Sequence, residues 1–386
     1  SSVGFAELNT MVIGKMREWV ITAIDESIVE ENVSQLEVWD RQIAKMGLLR
    51  HTGNFPDALE IGLKCVKDFD GVDADMKLSK TYNNLGAVYY SQGDYSKAIE
   101  YYEKSLAISL KTLGPEHPDV ATSYNGLGNV YDSQGDYPKA IEYHEKSLGI
   151  SLKTLGPEHP DVATSYINLG NVYDSQGDYP KALEYYEKSL AIKLKTLGAE
   201  HPDVANSYNN LGLVYDSQGD YPKALEYYEK CLGIYLKTLG AEHPNVATSY
   251  NNLGNVYNNQ GDHSKAIEYY EKSLGISLKT LGPEHPDVAT SYINLGNVYD
   301  SQGDYPKALE YYEKSLAIKL KTLGAEHPNV ATSYNNLGLV YDSQGNYPKA
   351  IEYYEKSLGI DLKTLGAEHP NTKNTQQWIE MAKAKM

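Results

Sequence analysis

The segment Asn168 to Leu190, NLGNVYDSQGDYPKALEYYEKSL, returns with few changes every 42 residues. Its Leu-Gly pair stands at Leu85-Gly86, Leu127-Gly128, Leu169-Gly170, Leu211-Gly212, Leu253-Gly254, Leu295-Gly296 and Leu337-Gly338. A fixed period of this size predicts a stack of like units, each touching only its neighbours. It overrides the two or three globular domains that 386 residues would otherwise suggest.

Each unit reads as two helices. The first runs from a His-Pro-Asp or His-Pro-Asn start to a Gln-Gly stop, as from Pro160 to Gln176. Proline suits the first turn, where its missing N–H costs nothing, and Asp161 beside it complements the positive end of the helix dipole. Gly177 suits the left-handed conformation that ends a helix. Asp178 is placed to cap the second helix, with Pro180 in its first turn. The pattern then continues through Leu197 to a stop at Gly198, a length of roughly 28 Å at the usual rise per residue.

The apolar positions predict the packing. On the first helix they are Val162, Tyr166, Leu169, Gly170, Val172 and Tyr173. On the second they are Tyr179, Ala182, Leu183, Tyr186, Leu190, Ile192, Leu194 and Leu197. Gly170 and Ala182 are small enough to let the two axes approach, so a leucine at 170 should wedge them apart. Tyr185 and its equivalents are expected to be exposed. Lys181, Lys188 and Lys195, with Glu184 four residues before Lys188, read as a solvated outer face.

The units divide the chain. Residues 1–33 are expected to form an N-terminal capping helix on the stripe Phe5, Leu8, Met11, Val12, Met16, Trp19, Val20, Ala23 and Ile24. Residues 34–77 read as a degenerate repeat and a charged connection. Ser34 and Glu37 have capping-box spacing, and Leu36, Trp39, Ile43 and Met46 follow at helical intervals. Residues 78–370 hold seven regular units. Residues 371–386 restart a first helix with a more polar surface, as a terminal cap requires.

Net charge is -17, and the unit Asp161 to Pro202 has six acidic residues against four lysines, so the charge belongs to the repeat. Duplex nucleic acid, which needs a basic face, is not an expected partner. No run of about 18 apolar residues is present to span a membrane. The start lacks the basic region and clean apolar run of a signal peptide. It also lacks an initiator Met, which fits a piece of a longer protein. Two cysteines, Cys65 and Cys231, are too few for a disulfide scaffold and fit a reducing compartment, so a cytoplasmic location is expected.

Tyr166, Leu169, Gly170, Tyr173, Ala182 and Tyr186 stand at the spacing of the tetratricopeptide signature. The chain resembles that family over about 300 residues. Ser189 stands where the family usually has Ala, and Leu194 where it often has Pro. Without that proline the second helix continues, which accounts for the longer period. The linker text LGPEHPDVATSYNGLGNVY, from Leu113, is similar to the kinesin light chain type of repeat, a type also found in sensor arrays of STAND-type signalling ATPases. The resemblance implies an all-α, right-handed superhelical solenoid of antiparallel helix pairs with a long second helix. It also implies a concave wall made by the first helices.

In the family, ligands touch exposed positions of the first helix. Here those are Asn84, then Asn125, Asn129 and Asp132, then Asn168, Asn171 and Asp174. They continue with Asn209, Asn210 and Asp216, then Asn251, Asn252 and Asn255. The last two units contribute Asn294, Asn297 and Asp300, then Asn335, Asn336 and Asp342. Asparagine carries a donor and an acceptor, so a ladder of it suits the backbone of an extended peptide. Asparagine is also a poor helix former, which makes its repeated use inside helices informative. Asn84, Asn168, Asn210, Asn252, Asn294 and Asn336 are the leading candidates. From Pro118 to Gly345 the first helices contain no Lys or Arg. Family members that clamp a C-terminal carboxylate or tryptophan-acidic cargo use basic groove residues, so that part of the resemblance fails here. A neutral to basic partner is favoured instead.

The linker histidines His117, His159, His201, His243, His285, His327 and His369 recur without a second ligand at coordination spacing, so no metal is expected. No phosphate-cradling, dinucleotide or zinc-protease motif is present, and like units do not supply the one unlike constellation that catalysis needs. The expected function is therefore a non-catalytic protein-interaction scaffold without a cofactor. The alternatives are the sensor array of a larger STAND-type ATPase and a structural array associating end to end. Residues 145–202 and 271–328 are identical, which points to duplication of a three-unit block and leaves a bound peptide several equivalent registers.

Overall fold

Helix ends in this chain rest on residues with few conformational uses. The computed structural model describes residues 20–24, 34–69 and 75–386, and no strand occurs among the described residues. They fall into two compact units, one ending at Gln218 and a second from Gly219 to Met386.

In the first unit α1 (Gln35–His51) pairs with α2 (Phe55–Asp68), α3 (Asp75–Ser91) with α4 (Tyr95–Leu113), α5 (Pro118–Ser133) with α6 (Tyr137–Leu155), and α7 (Pro160–Gln176) with α8 (Tyr179–Leu197). The last helix, α9 (Pro202–Ser217), packs on α8. The second unit begins with α10 (Tyr221–Thr238), which packs on α11 (Pro244–Asn259). There α11 pairs with α12 (His263–Leu281), α13 (Pro286–Ser301) with α14 (Tyr305–Leu323), and α15 (Pro328–Ser343) with α16 (Tyr347–Thr364). The terminal α17 (Pro370–Ala384) packs on α16. The expected capping helix over 1–33 lies outside the described residues except for 20–24, which are helical, and Ile21 packs with Met46, Leu49 and Leu85.

The caps follow the sequence reading. Ser34 and Glu37 form a reciprocal capping box at the start of α1. The Nδ1 of His159 accepts from the Asp161 N–H at 3.2 Å, so each linker histidine caps the helix that its proline begins. Gly177 ends α7 with φ 82° and ψ 9°, a conformation open to glycine at little cost. Asp178 then accepts from the Lys181 N–H at 3.4 Å.

Val162, Leu169, Val172 and Ala182 are fully buried, as the period predicts. Gly170 lies against the Tyr186 ring, and a Cβ there would stand 2.6 Å from Tyr186 Cε1. Two expectations need correction. Tyr185 is half-buried rather than exposed, because its ring stacks on Tyr173 at 5.5 Å and tilts against Tyr166 at 6.0 Å. Leu197, in the last turn before Gly198, is 39% exposed and contributes little to the core. Ser189, read as a mere departure from the family pattern, is fully buried.

The lysine face is paired as expected. Lys188 reaches Glu184 at 2.6 Å, and its ammonium lies 5.0 Å from the centre of the Tyr185 ring. Lys195 pairs with Glu158 of the preceding connection. Such exposed pairs add little stability. Near the two chain ends the packing changes from tyrosine to tryptophan. Trp39 stands edge-on to Phe69 at 4.7 Å, and Trp378 lies 5.7 Å from Tyr354.

Candidate functional site

The asparagines and aspartates of the first helices do not form one uniform row. In the leading register, the Nδ2 of Asn168 donates to Asn125 Oδ1 at 2.7 Å, bridging α7 to α5. Likewise the Nδ2 of Asn294 donates to Asn251 Oδ1 at 2.8 Å, bridging α13 to α11. Where the preceding unit has Ile167 or Ile293 in place of the acceptor, Asn210 and Asn336 are left without this bond. Those two, like Asn84, make no hydrogen bond to another described side chain and keep their full capacity for a ligand. Asn209 and Asn252 are half-buried in the corresponding registers of α9 and α11.

One turn later, Asn171, Asn255 and Asn297 accept from the hydroxyls of Tyr186, Tyr270 and Tyr312 at 2.7, 2.7 and 2.6 Å. They fix the tyrosines that seat on the Leu-Gly pair. Asn129 differs, because His144 replaces the tyrosine. The His144 ring is buried, its Nδ1 lies 3.1 Å from Asn125 Oδ1, and burial pulls its pKa down to about 4. Asn335 donates to Thr375 Oγ1 at 3.0 Å, so the last unit spends part of its row on packing α17.

In the third register Asp132, Asp174 and Asp300 are half-buried, and burial raises their carboxyls above the usual carboxylate range. None of the three forms an ion pair with another described residue, and one Asp132 oxygen is buried without a hydrogen bond. Asp342 instead pairs with Lys385 at 2.8 Å. Asp216 holds the same register on α9. No Lys or Arg stands on α5, α7, α9, α11, α13 or α15.

Sequence reasoning passed over one register of the second helices. It reads Ser109, Ser151, Lys193, Tyr235, Ser277, Lys319 and Asp361 through units that are otherwise nearly alike. That variation was visible in the sequence, as was the lone histidine at 144. Both cysteines are free and buried, with thiols raised to about 11, so neither suits nucleophilic chemistry. Among the described residues no three His, Cys, Asp or Glu stand together to hold a metal ion, and no helix is long and apolar enough to cross a membrane.

The family model of the tetratricopeptide repeat matches residues 77–153, 133–195, 175–237, 217–279, 245–321 and 301–363. The chain belongs to the tetratricopeptide repeat family. Its tetratricopeptide array is similar to BtubC (BKLC) of P. vanneervenii, at 26% identity and a TM-score of 0.50 over 60% of this chain and 91% of that one. The nearly identical TPR-like repeats of a Podosopora anserina protein described as a kinesin light chain align at 34% identity, TM-score 0.48, over 54% and 98%. The apo quorum sensor NprR of B. thuringiensis shares the fold at 15% identity, TM-score 0.64, over 92% and 95%. No curated protein sequence matches the chain.

Proposed function

We propose that this tetratricopeptide array is a non-catalytic interaction scaffold. It holds an extended, neutral to basic peptide segment against the Asn/Asp face of its first helices. The observation that carries this reading is one repeated register, held by Asp132 and Asp174 in the first unit and by Asp300 in the second. These carboxylates are partly withdrawn from water, have no cation beside them among the described residues, and stand on helices without Lys or Arg. A carboxylate held in that state is relieved by an approaching cation. The unengaged amides of Asn84, Asn210 and Asn336 supply neutral donors and acceptors for a peptide backbone.

Fluorescence anisotropy with labelled basic, neutral and acidic peptides tests the reading. The basic peptide is expected to bind most tightly, with affinity that falls as salt rises. Changing Asn210 and Asn336 together to Ala is expected to weaken binding about tenfold and leave the unfolding midpoint in place, because neither amide is bonded within the protein. Asn168→Ala, which also removes the bond to Asn125, is expected to lose about 1 kcal/mol of stability as well. Equal affinity for acidic and basic peptides would refute the charge argument.

A further inference from the structure

The varied register of the second helices opens into the face just described. In the first unit a cavity of about 210 Å³ lies between α5, α6 and α7, with Ser147, Ser151, Asp161 and Ser165 in its wall. In the second unit one of about 260 Å³ lies between α11, α12 and α13, with Ser273, Ser277, Asp287 and Ser291 in the same places. A water occupies about 30 Å³ of liquid, so each cavity has room for a short chain of heavy atoms. Ser147, Ser151, Ser273 and Ser277 are all more than nine-tenths buried, and none of their hydroxyls makes a hydrogen bond to another described residue. Their oxygens stay open to the cavity rather than sealed from water, so each keeps a donor and lone pairs for a ligand.

The chain itself shows which partner fits. Two units carry lysine at the position of Ser151 and Ser277. Lys193 runs its stem along this register and its ammonium donates to Ser207 Oγ at 3.2 Å and to the Asp203 carbonyl at 3.3 Å. Lys319 donates to Ser333 Oγ at 3.1 Å. Ser207 and Ser333 are the repeat equivalents of Ser165 and Ser291. The acceptors that hold a lysine in one unit are therefore present, and not engaged by a cation, in the next. Ser165 Oγ donates to the Asp161 carbonyl at 3.0 Å and Ser291 Oγ to that of Asp287 at 3.0 Å, which leaves their lone pairs for an incoming donor. Asp161 and Asp287, exposed at the starts of α7 and α13, are the acidic residues that line the two cavities. The remaining units close the register differently. Tyr235 and Asp361 are buried in it, and Ser109 bonds Ser79 at 2.7 Å.

We infer that the Ser151 and Ser277 cavities are receptor pockets for a primary ammonium on an aliphatic stem, the side chain of a lysine in the bound partner. This rests on the groove reading above and names the side chain that the groove selects. Lys193 and Lys319 then act as built-in plugs that deny the same pocket to the partner in their own units.

The full chain can be titrated with dansylcadaverine, a fluorescent pentylamine, and with its alcohol analogue. The amine is expected to bind about tenfold more tightly than the alcohol, the margin of a charge-assisted over a neutral hydrogen bond. Ser151→Lys with Ser277→Lys, which copies the native Lys193 and Lys319, is expected to abolish amine binding while circular dichroism stays unchanged. Ser151→Tyr with Ser277→Tyr, which copies the native Tyr235, is expected to do the same without added charge. Lys193→Ser with Lys319→Ser is expected to raise the number of amines bound. Equal binding of amine and alcohol, or amine binding that survives both filled variants, would overturn the pocket assignment. If the basic peptide binds but the amine does not, the pocket falls and the groove stands. If the amine binds these pockets but no basic peptide binds the face, the pocket stands and the groove reading falls.

Discussion

Gly170→Leu is expected to destabilise its helix pair by about 3 kcal/mol, the upper range for forcing extra side-chain volume into a packed site. The Tyr186 ring occupies the space that the new side chain would need, with 2.6 Å left for a Cβ. That ring is also tied by its hydroxyl to Asn171 at 2.7 Å, so it cannot swing aside without losing a second interaction. Units of this kind share interfaces only with their neighbours, so the damage should appear as an early, partial transition around α7 and α8 while the rest of the array unfolds later. Gly149→Ala is the control. Gly149 lies within α6, exposed, with nothing within 4 Å of a built Cβ. Replacing it is expected to stabilise by about 0.5–1 kcal/mol, since alanine loses less entropy in a helix. Urea melts followed by circular dichroism separate the two, and a Gly170→Leu melt that overlays the native one would sink the close-approach argument.

His144→Tyr is expected to leave stability nearly unchanged at about pH 8 and to raise it markedly at about pH 5. Burial depresses the folded pKa of His144 from 6.5 to about 4. Above the unfolded value both states are neutral at this position and nothing is lost. As pH falls below it, the unfolded chain takes up a proton that the folded chain refuses. The native protein then loses about 1.4 kcal/mol for each pH unit until the folded value is reached. Asp132, Asp174 and Asp300 act in the opposite sense, because their raised pKa means that protonation favours the folded state. Those groups and the histidine caps are common to both proteins and cancel in the comparison. Asn129 stands ready to accept from the new hydroxyl, as Asn171 does from Tyr186. Stability curves that run parallel from pH 8 to 5 would show that His144 carries no such linkage.

The helix ends were legible because Pro160, Gly177, Asp178 and Gly198 each have few backbone roles to choose from. The buried faces were legible in outline because the 3.6-residue period leaves a fully apolar stripe only one place to go. Hydropathy alone misplaced a residue whose burial is decided by shape. Tyr185, whose hydroxyl suggested an exposed place, is covered because two other flat rings border it. Of the candidate site, the residue identities could be read but not their engagements. Asn168 and Asn210 look alike in the sequence, and only the neighbouring Asn125 or Ile167 decides which amide is already bonded. Reading the units for what they share also hid the register in which they differ, where Ser151 and Lys193 stand.

The tryptophans give the molecule separate optical reports of its parts. Trp39, against Phe69, stands on α1 and Trp378, against Tyr354, on α17, and Trp19, the third tryptophan, lies before both in sequence and outside the described residues. Every unit between them absorbs and emits through tyrosine alone. Emission excited selectively in tryptophan therefore follows the loosening of the chain ends, while tyrosine emission follows the interior. The difference between those two signals during denaturation shows, without any label, whether the helices near the chain ends loosen before the interior units.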